Sequence, residues 1–146
     1  IPGALPPIGG WVAATGSIGT GAWILFGILF FWQIPHFLAI AWLYREDYRS
    51  AGFKMITTGE NYENRVKWYI GLFTLGMVIT SLLPTLLGLL GSLYLIGISI
   101  TSLFFIKVSW DMMTKLNNKM AKKLLFTSIV YQPIMFCLII FDLYLG

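Results

Sequence analysis

The stretch Trp32–Met55, WQIPHFLAIAWLYREDYRSAGFKM, decides how this chain is read. It begins inside an apolar run that carries Gln33 and His36, the single histidine of the sequence, and it ends in a dense polar cluster from Tyr44 to Arg49. Polar side chains inside hydrocarbon are costly and mark functional positions. Arg, Asp and Tyr gathered at the mouth of such a run have the chemistry to hold an anionic ligand. On a continuous helix with His36 as zero, Gln33 lies at roughly 60°, Ile40 at 40°, Tyr44 at 80° and Asp47 at 20°. Gln33, His36, Tyr44 and Asp47 then share one face, which looks into a bundle rather than toward lipid. Pro35, lacking an amide proton, frees a carbonyl beside them.

Outward from this stretch, the composition defines the class. Hydrophobic residues make up 58% of 146 and charged residues 11%, where soluble domains carry about 25% charged. A membrane-crossing helix needs roughly 20 apolar residues. Four runs qualify, residues 22–44, 68–90, 93–110 and 124–145. The expected fold class is all-α, a polytopic transmembrane helix bundle. The ten basic residues fall in or beside two segments, 45–67 and 107–123. The positive-inside rule places both segments in the cytoplasm, and the turn near Gly88–Ser92 outside. The net charge of +4 is then a matter of topology and lipid headgroups, and no nucleic-acid partner is expected.

Residues 1–21 hold three prolines and six glycines, too many for a regular helix interior. They read as the end of a preceding span and an outward loop. Ile1 is not an initiator methionine, so a piece of a longer protein is expected. Pro84 and Pro133 suggest kinks, and Gly71, Gly76, Gly97 and Ser99 allow close helix approach. Cys137 is expected to pack within the fourth span.

Several roles are open for each polar group. His36 could bind a metal or haem iron, shuttle a proton, or bond a neighbouring helix. Asp47 could hold Mg²⁺ against a diphosphate, or simply pair with Arg45, Arg49 or Lys54. Those three basic residues could hold phosphate oxygens, or serve as topology charges. Tyr44 and Tyr48 could bond a phosphate or shield a cation, or belong to the interfacial aromatic belt. Glu60, Glu63 and Asp111 read as solvated loop charges.

The segment PGALPPIGGWVAATG, followed by WQIPHFLAIAWLYREDYRSAGFKM, resembles the UbiA-type intramembrane prenyltransferases, and within them the protoheme IX farnesyltransferase (haem O synthase) branch. The resemblance covers residues 1–55 most sharply, through WQ-x-PHF and the following DY. It implies a nine-helix fold of which this is the C-terminal portion, with 45–67 as a cytoplasmic substrate loop. It also implies transfer of the farnesyl group of farnesyl diphosphate to a vinyl group of haem b, with addition of water, at a bacterial cytoplasmic membrane. Mg²⁺ would accompany the diphosphate, and haem-handling or oxidase-assembly proteins would be partners. Carried onto this chain, Asp47, His36 and Tyr44 take catalytic roles, with Asp47 also the metal ligand. Arg45, Arg49, Lys54 and Tyr48 contact diphosphate, and His36 and Gln33 contact haem.

Two departures stand out. The second acidic motif of such enzymes, D-x-x-x-D, is matched here by Tyr44 and Tyr48, with Glu46 and Asp47 between them. The first motif, N-x-x-x-D-x-x-x-D, does not occur in the chain, so this portion alone is expected to be inactive. Rival readings are a haem-binding or assembly subunit of a terminal oxidase, a UbiA-type enzyme with a quinone or chlorin acceptor, and a transporter built on kinked helices.

Overall fold

The computed structural model describes residues 2–53 and 61–145. After a 3-10 turn at Pro2–Ala4 the elements are α1 (Pro6–Thr15), α2 (Thr20–Leu43), α3 (Arg45–Ser50), α4 (Tyr62–Leu86), α5 (Ser92–Lys115) and α6 (Asn118–Leu145). The described residues contain no strand. Helices α2, α4, α5 and α6 have 24 to 28 residues, each with an 18-residue stretch of mean hydropathy between 1.6 and 2.1, long and apolar enough to cross a membrane. At about 1.5 Å per residue they exceed a hydrocarbon core of about 30 Å. Their charged ends therefore reach the interface.

This explains where the helices differ from the apolar runs. Hydropathy marks only the part of a helix that sits in lipid. Helix α4 starts at Tyr62 rather than 68, α5 continues to Lys115, and α6 starts at Asn118 rather than 124. The basic stretch 107–123 is thus two helix ends joined by Leu116 and Asn117, not a loop. Leu116 turns the chain with φ 36°, and the Asn117 side-chain oxygen accepts the Met120 amide at 2.9 Å, an N-cap that starts α6. Asp111 belongs to α5 and pairs with Lys123 of α6 at 3.7 Å. Glu63 is an exposed first-turn residue of α4.

The N-terminal segment also departs from expectation. Residues Pro6–Thr15 form a helix despite Gly9 and Gly10. The two prolines sit in its first turn, where a missing amide proton costs nothing. Gly16 ends it with φ 76°, a conformation open to glycine. Helix α1 packs along α2, and the Trp11 ring lies over Gly19 and Gly21, leaving no space for a Cβ at Gly21.

The four long helices close a ring: α2 against α4, α4 against α5, α5 against α6, and α6 back against α2. Buried positions recur at spacings of three and four, as in Ser102, Phe105, Ser109 and Met112 of α5 and Ala121, Leu124, Ser128, Tyr131 and Met135 of α6. That is the seam period of near-parallel helix packing. Between lipid-soluble helices the driving forces are close packing and hydrogen bonds. Gly76 of α4 lies against Phe31 of α2, and Gly97 of α5 against Leu138 of α6. Tyr131 donates to Ser81 Oγ at 2.9 Å and meets Ser102 Oγ at 3.2 Å, while Tyr94 donates to the Ser81 carbonyl at 2.9 Å. This hydroxyl network ties α4, α5 and α6 in the core. The helices run through Pro35, Pro84 and Pro133 without interruption. Cys137 is exposed on α6 rather than packed inside.

Candidate functional site

The C-terminal end of α2 lies at the same end of the bundle as the charged ends of α4, α5 and α6, and Arg45 ties it to α6. Its Nη1 donates to the Trp42 carbonyl at 2.7 Å and to Asn118 Oδ1 at 2.8 Å. Its guanidinium carbon sits 4.6 Å from the Trp42 ring centroid, a cation–π contact. The Trp42 carbonyl is one of the last-turn acceptors that a helix end leaves open, so Arg45 both closes α2 and anchors it to the start of α6. The Trp42 indole N–H is buried and has no partner among the described residues.

Helix α2 ends at Leu43, and Tyr44 turns the chain with φ −102° and ψ 18° into α3. The sequence reading required the helix to continue past Tyr44 in order to bring Asp47 onto the His36 face. It does not continue, so that register stops there. Asp47 lies on α3, exposed, and takes no ion pair among the described residues. Glu46 is the carboxylate that meets the arginines, at 3.8 Å from Arg45 and 3.8 Å from Arg49. These are long, solvated pairs of small worth. Tyr44 is exposed, Tyr48 packs edge-on to Phe53, and Arg49 is exposed. Lys54 and Glu60 lie outside the described residues.

Deeper in the bundle, His36 sits seven residues inside the end of α2, about 10 Å from it along the axis. It is half-buried at the seam with α6. Its ring stacks on Trp32 with centroids 4.8 Å apart and meets Phe37 edge-on at 5.5 Å. Nδ1 lies 2.8 Å from Ser128 Oγ, and the Trp32 indole donates to the Ser128 carbonyl at 2.7 Å. Gln33, 5% exposed, faces another neighbour: its Oε1 lies where a Cβ on Gly3 would fall. Both residues are thus turned into protein, but toward different elements. The site divides into an exposed anionic and cationic rim on α3 and an aromatic seat around His36.

Among the described residues no three of His, Cys, Asp and Glu come together. On α3 the carboxylates are Glu46, engaged by Arg45 and Arg49, and Asp47, which has no ion pair among the described residues. One carboxylate suits Mg²⁺ shared with phosphate oxygens and water, so these residues fit half of such a site. Sequence reasoning passed over Ser128 and Trp32 as site residues, and Asp142 altogether. Asp142 of α6 is 6% exposed and accepts the amides of Gly91 and Tyr94. A carboxylate inside an apolar run is the signal that marks it. Ser128 carries no such signal, since serine is ordinary in membrane helices.

Residues 1–131 match the model of the UbiA prenyltransferase family. A protoheme IX farnesyltransferase from Solibacter usitatus is 37% identical over 142 residues, covering 97% of this chain and 49% of the relative. One from Opitutus terrae is 38% identical over 146 residues, with 97% and 48% covered. The chain spans about half the length of the curated relatives it matches. A solved structure of a digeranylgeranylglyceryl phosphate synthase shares the fold, with a TM-score of 0.71 over 83% of this chain and 43% of its own, at 21% identity. With its four apolar helices, the chain is an integral membrane protein and belongs to the UbiA prenyltransferase family.

Proposed function

We propose that this chain is the haem-facing half of an intramembrane prenyltransferase that makes haem O from haem b and farnesyl diphosphate. The observation that carries the reading is the His36 seat. A lone histidine, clamped between Trp32 and Ser128 within a membrane span, offers a flat aromatic surface and a nitrogen to a planar macrocycle. The names of the relatives support the same acceptor.

The rim on α3 serves the other substrate. Arg49 and Lys54 bring positive charge to the diphosphate, and Tyr48 and Tyr44 bring hydroxyl donors. Arg45, already bonded to Trp42 and Asn118, contributes charge from a fixed position. Asp47 would hold Mg²⁺, which when bound neutralises charge on the departing diphosphate. The C1–oxygen bond of farnesyl diphosphate breaks with its electron pair leaving on diphosphate. The haem vinyl π-bond then attacks C1. Water adds to the resulting cation and gives up a proton. Gln33 and His36 orient the haem side. The apolar ring keeps water from the allylic cation until the carbon–carbon bond has formed. We place the rim on the cytoplasmic side, where the basic residues cluster.

The test uses the full-length protein in membranes with haem b, farnesyl diphosphate and Mg²⁺, the extracted haems being read by mass spectrometry. The expected product is heavier than haem b by a farnesyl group plus water, and it falls at least tenfold with Asp47→Ala and with His36→Ala. Haem that copurifies unmodified would instead identify a haem-binding subunit. Prenylation of a quinone but not of haem would move the acceptor.

A further inference from the structure

We propose that Ser128 is a positioning residue that fixes the tautomer of His36 and so presents Nε2 as an unprotonated donor to haem iron. The inference rests on the haem-facing reading of His36 given above. It begins with the one proton of the Ser128 hydroxyl. Ser128 Oγ lies 2.6 Å from the Leu125 carbonyl oxygen and 2.8 Å from His36 Nδ1. A carbonyl oxygen can only accept, so the hydroxyl proton is committed to Leu125. Turned toward His36 instead, the hydroxyl would leave two oxygen lone pairs facing each other at 2.6 Å. The serine oxygen therefore accepts, and His36 Nδ1 must carry the hydrogen that it donates. In the neutral ring the other nitrogen, Nε2, is then bare. No described residue partners Nε2.

The surroundings hold this arrangement in place. The Trp32 indole donates to the Ser128 carbonyl at 2.7 Å, while the Trp32 ring stacks on the imidazole. Trp32, His36 and Ser128 form a closed triangle across the α2–α6 seam. The ring can neither flip nor slide without losing a bond at one corner. A ligating histidine whose second nitrogen donates to an oxygen has a fixed orientation and a raised basicity at the metal-binding nitrogen. That is the task the triangle assigns to Ser128, which touches neither substrate itself.

The experiment uses the full-length protein in detergent with ferrous haem b, read by resonance Raman spectroscopy. Wild type is expected to show an iron–histidine stretching band that His36→Ala abolishes. Ser128→Ala should keep the band but shift it to lower frequency, because the imidazole loses its hydrogen-bond acceptor. Ser128→Thr, which retains a hydroxyl, should return it toward the wild-type position. An unmoved band in Ser128→Ala would overturn the proposal. The same proteins labelled with ¹⁵N-histidine report the tautomer without haem, the His36 signals being assigned by their loss in His36→Gln. A protonated Nδ1 and bare Nε2 that become mixed in Ser128→Ala support the positioning role even if no iron–histidine band exists. In that case it is the haem-iron reading of His36 that fails. A tautomer unchanged by Ser128→Ala refutes the role of Ser128 itself.

Discussion

Replacing Asp142 with alanine should destabilise the bundle far more than its place near the end of α6 suggests. Its Oδ1 accepts the Tyr94 amide at 2.9 Å and its Oδ2 the Gly91 amide at 2.5 Å. Together they hold the N-cap amide and one first-turn amide of α5, groups that have no partner within the helix. The two bonds are not equivalent. Tyr94 is fully buried, so its amide cannot turn to water, and an orphaned buried donor costs about 1–3 kcal/mol. Gly91 is exposed, and its amide can rehydrate, so the loss there is about 0.5–1.5 kcal/mol. The expected total for Asp142→Ala is roughly 1.5–4.5 kcal/mol. Asp142→Asn keeps one acceptor oxygen and should cost about half as much. Tyr144, 86% exposed and two residues on, is the control, and Tyr144→Ala should fall within about 0.5 kcal/mol of wild type. The assay is unfolding of the full-length protein in mixed micelles by increasing dodecyl sulfate, followed by helical circular dichroism. An Asp142→Ala curve superimposed on wild type, or on that of Tyr144→Ala, would refute the capping argument.

Four further outcomes follow from the packing and from the rim contacts. Gly76→Ala should destabilise the same unfolding curve by about 1–3 kcal/mol, because its Cβ would fall within 2.9 Å of three ring atoms of Phe31. Gly9→Ala, with nothing within 4 Å, should leave it unchanged or raise stability by up to about 1 kcal/mol. Tyr131→Phe removes the hydroxyl that bonds Ser81 and meets Ser102 and should cost about 0.6–1.7 kcal/mol, the range for such bonds in membrane bundles. Asn118→Ala frees Arg45 from α6. Its expected signature is a weaker KM for farnesyl diphosphate with kcat within about threefold, and a lowered kcat at unchanged KM would argue against a role at the rim.

The four spans were readable because apolar runs of about 20 residues have one main use. Their ends were not, since a helix that leaves lipid continues on polar residues such as Glu63 to Lys67, and hydropathy does not register that. Helix α1 was hidden because its prolines and glycines argue against a helix interior, whereas the prolines sit in its first turn and Gly16 beyond its last. At the site, the pairing of a deep His36 with a polar mouth was visible from the spacing. The break at Tyr44 was not. Beside it Arg45 reaches Asn118, 73 residues away, and no local pattern encodes such a partner. Ser128 was silent for the same reason, its partner His36 lying 92 positions earlier.

That separation sets a clock on the molecule. At about 5–20 residues per second of synthesis, His36 exists for roughly 5 to 20 s before Ser128 has been made. The histidine enters the membrane early, with both ring nitrogens free to exchange their proton, and takes its final form only when α6 arrives. In the nascent chain the seat is a late event, so a chain halted before α6 carries every residue of the rim on α3 and yet has an imidazole with no assigned face.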